Sequence, residues 1–303
     1  MLAYVRIMAA GALAATLTAA FALAAPVQAA GSGDGGAYHL YQTPEQMLRT
    51  GRVPPRLGAG SMEYFGGSVF SSVKVVSVIW GPNVNPQTVA GMPGFLTALP
   101  NSTYVDQLSI YDTNMKGVNG HKGTHQNIKR GTFISQVQIT PKNTNTTLTD
   151  KMVQKELDYQ IDTGALPMND PNTLYMIYFP NNITITLQGL VSCQSFGAYH
   201  YASSKTVTSS NIFYGVMPDC GYTFDDHTIV SSHEYAEATT DNIPTPGTNP
   251  AYPQAWNTSD GYEIGDLCEG TQATLTAGKT TYYVQELYLN NLGGCGTANF
   301  TSP

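Results

Sequence analysis

With 303 residues, a net charge of −7 and a pI near 5.2, the chain has no basic surface to hold phosphate groups, which argues against a nucleic-acid partner. An anionic lipid surface would repel it as well. Charged residues make up 12% of the chain, against about 25% in ordinary globular proteins, and Thr, Ser, Asn and Tyr stand in their place, as suits an extracellular surface.

The chain opens MLAYVRIMAAGALAATLTAAFALAAPVQAA: one arginine, a run of small apolar residues, then VQA ahead of Ala30. That layout predicts a secretory signal peptide over residues 1–29, cleaved after Ala29, and a secreted protein with no membrane attachment once it is removed. A transmembrane reading would need polar flanks on both sides of the run and no cleavage signal. Residues 30–66 are rich in Gly, carry Pro54-Pro55 and show no sustained periodicity, so they read as a mobile leader or a strap over the surface, too short for a folding pro-domain. Residues 67–303 are expected to form a single compact α/β domain.

SVKVVSVIW reads as a buried strand ending at Trp80, and GTFISQVQIT as a strand with one wet face. Gln87 to Leu99 and Tyr104 to Tyr111 are predicted helices. Thr149 to Thr163 has helical spacing through Met152, Leu157 and Ile161, with Thr149 as N-cap and Gly164 as the stop. NTLYMIYFP, ITITLQGLV and NIFYGVM follow as strands. Strands alternating with helices imply a mixed sheet with some parallel pairing.

Four cysteines in an exported chain point to two disulfides. Of the pairings open to them, Cys193–Cys220 with Cys268–Cys295 is favoured, because each closes a local loop of similar size on one side of the segment discussed next. A four-thiolate zinc site would need close Cys-x-x-Cys pairs, and there are none.

That segment, Ile229 to Asp241, reads IVSSHEYAEATTD. Asp225 or Asp226 is expected to cap a helix running from about Asp226 to Thr240. On it Ile229, Val230, His233, Ala236, Glu237 and Thr240 share one stripe, so the apolar face runs straight into a histidine and a carboxylate. Burying both costs several kcal/mol unless they are partnered, and a cation is the most economical partner. Glu234 lies about a quarter turn away, where a zincin places its catalytic glutamate. Glu237 stands where the familiar zinc-protease motif has its second histidine, and an anionic ligand there makes zinc a weaker Lewis acid than two imidazoles would. The alternative is a tertiary histidine–carboxylate hydrogen bond with no metal.

Downstream, DGYEIGDLC places three carboxylates within seven residues, ending at a cysteine. Glu263 and Asp266 meet the spacing at which a zincin with an acidic third ligand receives it, and the disulfide would stiffen the segment. The other reading of DGYEIGD is an acidic turn or a weak calcium loop, since oxygen-only ligation suits Ca2+ better than Zn2+. Asp241 would orient His233, join the shell or end the helix.

YMIYFP, VSCQSFGAYHYA, YGVMPDCG, SSHEYAEATTD and EIGDLC, in that order, resemble bacterial secreted relatives of the exordium or phosphate-induced family, whose plant members act in the extracellular matrix. The resemblance covers roughly residues 70 to 295 and rests on the blocks Cys193 to His200, Ala236 to Asp241 and Glu263 to Cys268. Plant members lack the intact His-Glu pair, so their growth-related role does not carry over to His233 and Glu234. The zincin resemblance covers only the helix and one later carboxylate.

Among the remaining histidines, His200 is either a buried strand histidine or a neutral ligand. His121 and His125 lie among Gly, Asn and Lys where no helix is expected. His227 reads as a solvated first-turn residue and His39 as exposed. Gly-x-Ser-x-Gly and phosphate loops are absent. A glycosidase built on Glu234, Glu263 and Asp266 would need aromatic subsites beyond Trp256 and its tyrosines.

The sequence thus leads to a secreted metal-dependent hydrolase, a peptidase acting on peptide or protein substrates. In it His233, Glu237 and either Glu263 or Asp266 hold zinc and Glu234 is the proton acceptor. The rival is a non-enzymatic extracellular matrix or binding protein with a structural polar cluster.

Overall fold

The β-branched run Ser72–Trp80 forms strand β1, an interior strand of a five-stranded sheet, and the turn after it delivers the chain into α1, Pro86–Ala98. Asn85 caps that helix through Gln87 N–H, and Pro86 occupies its first turn, where a missing N–H costs nothing. Lys129–Ile139 returns as β2, parallel to β1. Thr149 then caps α2, Asp150–Asp162, by accepting from Met152 N–H; Gly164, at φ +74°, turns the chain out of it. Thr173–Tyr178 (β3), Tyr199–Ser203 (β4) and Ile212–Met217 (β5) complete the sheet in the order β2-β1-β3-β5-β4. All pairings are parallel except β4 on β5, where His200 lies opposite Gly215. Every residue of β3 and β5 is buried, as expected of parallel strands covered on both faces. In β2, Thr132, Ile134 and Gln138 are exposed, the wet side anticipated from its alternation.

Successive β1 residues face opposite ways. Val75 and Ile79 pack with Met92, Phe95 and Leu96 of α1, while Val76 and Val78 pack with Val153, Leu157 and Ile161 of α2. On the α1 side lies α3, Phe224–Thr240. Its start corrects the expected cap: Thr223 is the N-cap, and Asp226 completes a capping box by accepting from Thr223 N–H. The expected one-sided stripe is also corrected, because from His227 to Thr240 only Ile229 is not fully buried. The hairpin of β6 (Gln272–Ala277) and β7 (Thr280–Gln285) closes over the helix, Gln285 N–H donating to Ser232 Oγ at 2.9 Å. Strand β8, Asn299–Ser302, runs parallel to β6.

Two further elements differ from expectation. Tyr104 to Tyr111 divides into a short helix, Thr103–Asp106, and a 3-10 turn, Gln107–Tyr111. ITITLQGLV breaks at Gln188 and Gly189, both at positive φ, into two strands of a small separate sheet with Thr147–Thr149. The fold is therefore mixed α/β with several sheets. The disulfides are Cys193–Cys220 and Cys268–Cys295.

The computed structural model describes residues 40–42, 46, 60–203, 211–245, 250–296 and 298–303, all within one compact unit, Gly35–Pro303. The expected signal peptide and its cleavage point, His39 and most of the leader lie outside the described residues. The expected leader boundary at residue 66 is too late: Met62 and Tyr64 are buried, and Glu63–Tyr64 pairs with Trp256–Asn257. Tyr41 bridges to Ala198 beside β4. Among the described residues, no helix is long and apolar enough to cross a membrane.

Candidate metal centre

Helix α3 supplies His233, Glu234 and Glu237; β4 supplies His200; the loop that ends in the 3-10 turn Asp266–Cys268 supplies Glu263 and Asp266. Each of these six side chains is at most 1% exposed, and among the described residues no lysine or arginine is buried.

His233 Nδ1 lies 3.1 Å from Gln285 Oε1, and Gln285 turns its amide nitrogen to Gly265 O at 2.6 Å. With its oxygen toward the ring, Gln285 can only accept, so His233 carries its proton on Nδ1. Its Nε2 lies 3.0 Å from Glu237 Oε2 but off the line of a hydrogen bond, and Nε2 has no hydrogen-bond partner. His200 repeats the arrangement in reverse. Its Nε2 lies 3.0 Å from the Asp241 carbonyl, an obligate acceptor, so its Nδ1 lone pair faces Glu234 Oε2 at 3.3 Å and Glu237 Oε2 at 3.8 Å. A lone pair against a carboxylate is repulsive unless a proton or a cation lies between them. An imidazole whose second nitrogen is tied to a carbonyl is also how metal-binding histidines are oriented.

The loop is anchored to the helix through its backbone. Asp266 N–H donates to Glu237 Oε1 and Glu263 N–H to Asp266 Oδ2, each at 3.0 Å, while Cys268 is fixed by its disulfide. Gly265 permits the approach, since a Cβ there would stand 2.5 Å from His233 Nδ1 and 2.8 Å from Glu237 Oε1. Glu263 Oε1 is 3.6 Å from His200 Nε2, and neither of its carboxylate oxygens has a hydrogen-bond partner, nor does Glu234 Oε1. Burial pushes the Glu234 and Glu263 carboxyls well above the usual carboxylate range and the His200 imidazole below its own.

Ligand atoms within 4.8 Å of one another form two triads, His233–Glu237–Asp266 and His200–Glu234–Glu237, so these buried groups could hold a metal ion. Asp266 joins His233 and Glu237, whereas Glu263 sits beside His200. Glu234, expected outside the ligand set, falls within the second triad. Asp241 ends the helix, and its carbonyl orients His200 rather than His233; its carboxylate accepts from Ala255 N–H at 3.0 Å and Asn257 Nδ2 at 2.7 Å.

His227 corrects the expectation of a solvated residue. It is 1% exposed, lies against Tyr178 and Tyr222, and its pKa is pushed down by burial. His121 and His125 are exposed loop residues, His121 stacked on Tyr252. Sequence reasoning missed Gln285 and Gly265; the glycine between Glu263 and Asp266 was the available signal for close approach. Comparison of the chain with protein-family models, with curated proteins and with solved structures finds no match.

Proposed function

We propose that the protein is a secreted metal-dependent hydrolase, a zincin-like peptidase whose ion is held by His233 Nε2, Glu237 and Asp266. One observation carries the reading: a histidine tied through Nδ1 to Gln285 brings its unpartnered Nε2 to 3.0 Å from a carboxylate oxygen, inside a cluster of four buried carboxylates without a buried lysine or arginine among the described residues. Imidazole together with carboxylate favours zinc over calcium, which prefers oxygen alone. Bound there, the ion supplies Lewis acidity to water and to a scissile carbonyl. Glu234, with Oε2 toward His200 and Oε1 without a partner, takes the water's proton and returns it to the leaving amine. The three blocks behind the resemblance to exordium relatives carry His200, then Glu237 and Asp241, then Glu263 and Asp266, which supports reading them as parts of one centre.

The test is metal analysis of protein purified without added metal, followed by turnover of a peptide library before and after chelation and zinc restoration. Zinc-dependent turnover that falls by about 10²- to 10⁴-fold in Glu234→Gln, with the His233 ion retained, is the expected result. A second reading, an extracellular matrix or binding protein with a structural centre, is favoured by the burial of all six side chains and by the Tyr41 ring set edge-on against His233 at 5.0 Å. Bound zinc without turnover of any peptide would select it. Absence of metal after reconstitution would sink the metal reading.

A further inference from the structure

Glu237 belongs to both triads, yet neither triad contains the other's histidine. His233 and His200 approach from different elements, one from α3 and one from β4, and each brings a ring nitrogen near Glu237 Oε2, Nε2 at 3.0 Å and Nδ1 at 3.8 Å. A single ion on His233, Glu237 and Asp266 would use the first nitrogen and leave the second facing Glu234 and Glu237.

We propose that the centre holds two divalent cations bridged by Glu237, one with His233 and Asp266, the other with His200 and Glu234. The proposal deepens the hydrolase reading and rests on its first ion. Glu234 gives Oε2 to the second ion and keeps Oε1, the oxygen without a partner, for the proton. Paired ions sharing a carboxylate are the arrangement with which hydrolases stabilise both the attacking and the leaving atom.

The experiment counts ions. Full-length secreted protein is stripped with chelator, dialysed against excess zinc and analysed for metal per chain. Two equivalents are expected for the native chain and one for His200→Ala, with His233→Ala losing the other. Cobalt substituted for zinc provides a check that needs no variant, since two Co(II) ions sharing a carboxylate couple magnetically and a lone ion does not. One equivalent in the native chain with an uncoupled cobalt spectrum overturns the second site and leaves the hydrolase reading standing. No equivalent at all overturns both.

Discussion

Gly265 is a steric probe of the centre that leaves the backbone undisturbed. Its φ of −79° and ψ of −41° suit any L-residue, so Gly265→Ala introduces no conformational strain. What it introduces is a methyl group 2.5 Å from His233 Nδ1 and 2.8 Å from both Glu237 Oε1 and His233 Cε1, where no carbon fits without moving the imidazole or the loop. Overpacking of this kind costs about 1–3 kcal/mol. At about 2–4 °C per kcal/mol for a domain of this size, the melting temperature should fall by roughly 2–12 °C. The contacts displaced are the Gln285–His233 hydrogen bond that fixes the tautomer and the Asp266–Glu237 bond that docks the loop, so bound zinc should fall along with stability. The control is Gly294→Ala, where a Cβ meets nothing within 4 Å and φ is not in the left-handed range. Thermal melts and metal analysis of both variants decide the matter: if Gly265→Ala melts with Gly294→Ala and keeps its zinc, the packing described around His233 is wrong.

His233→Ala should lose its ion and about 3–5 kcal/mol together, because it removes one partner from a buried charged cluster; urea unfolding with metal analysis checks both. Each disulfide joins residues 27 apart, so removing either pair by Cys→Ser should cost a similar chain entropy, about 3.5 kcal/mol on the loop-closure estimate. Only loss of Cys268–Cys295 unties the segment that ends two residues beyond Asp266, and it should release zinc more readily than loss of Cys193–Cys220 in a chelator titration. The Arg130 guanidinium, bonded to both oxygens of Asp106, holds that carboxyl below its usual range. Such a pair adds stability above the unfolded carboxyl pKa of about 3.9 and loses it as pH falls through the lower folded value. Arg130→Gln should therefore lower stability slightly at neutral pH and not at pH 2, and an equal loss at both would show that the pair is not its cause.

The strands were legible where they were most apolar, because SVKVVSVIW and NTLYMIYFP have one way to hide their side chains. The hairpin of β6 and β7 was not read, since QATLTA and TTYYVQ carry too many threonines to stand out from a loop. Full burial of α3 was hidden for a related reason. Ser232, Thr239 and Thr240 count as polar, yet their hydroxyls donate to the carbonyls of Ile229, Tyr235 and Ala236 within the same helix, which lets them be enclosed with their donors satisfied. Thr223 was overlooked because Asp225 and Asp226 are equally good caps in isolation, and only the reciprocal bond to Asp226 selects the threonine. His233, Glu237 and Asp266 could be anticipated from spacing. The pairing of His200 with Glu234 could not, because it depends on where β4 lies against α3. The tyrosines that enclose His227 likewise include Tyr178, far away in the chain.

The Tyr41 ring set against His233 bears on timing. Tyr41 exchanges backbone hydrogen bonds with Ala198 and Gly197, and Gln42 reaches both Glu269 and the Ser195 carbonyl, so Leu40–Gln42 are fastened on either side of a centre whose own side chains do not reach solvent. An ion held there leaves only when some part of that cover lifts, and the rate of its exchange with solution is then set by local opening of the protein rather than by the strength of the ligand bonds. Two proteins with the same metal affinity would then differ in how long they stay loaded in a metal-poor medium, according to how readily such a cover opens.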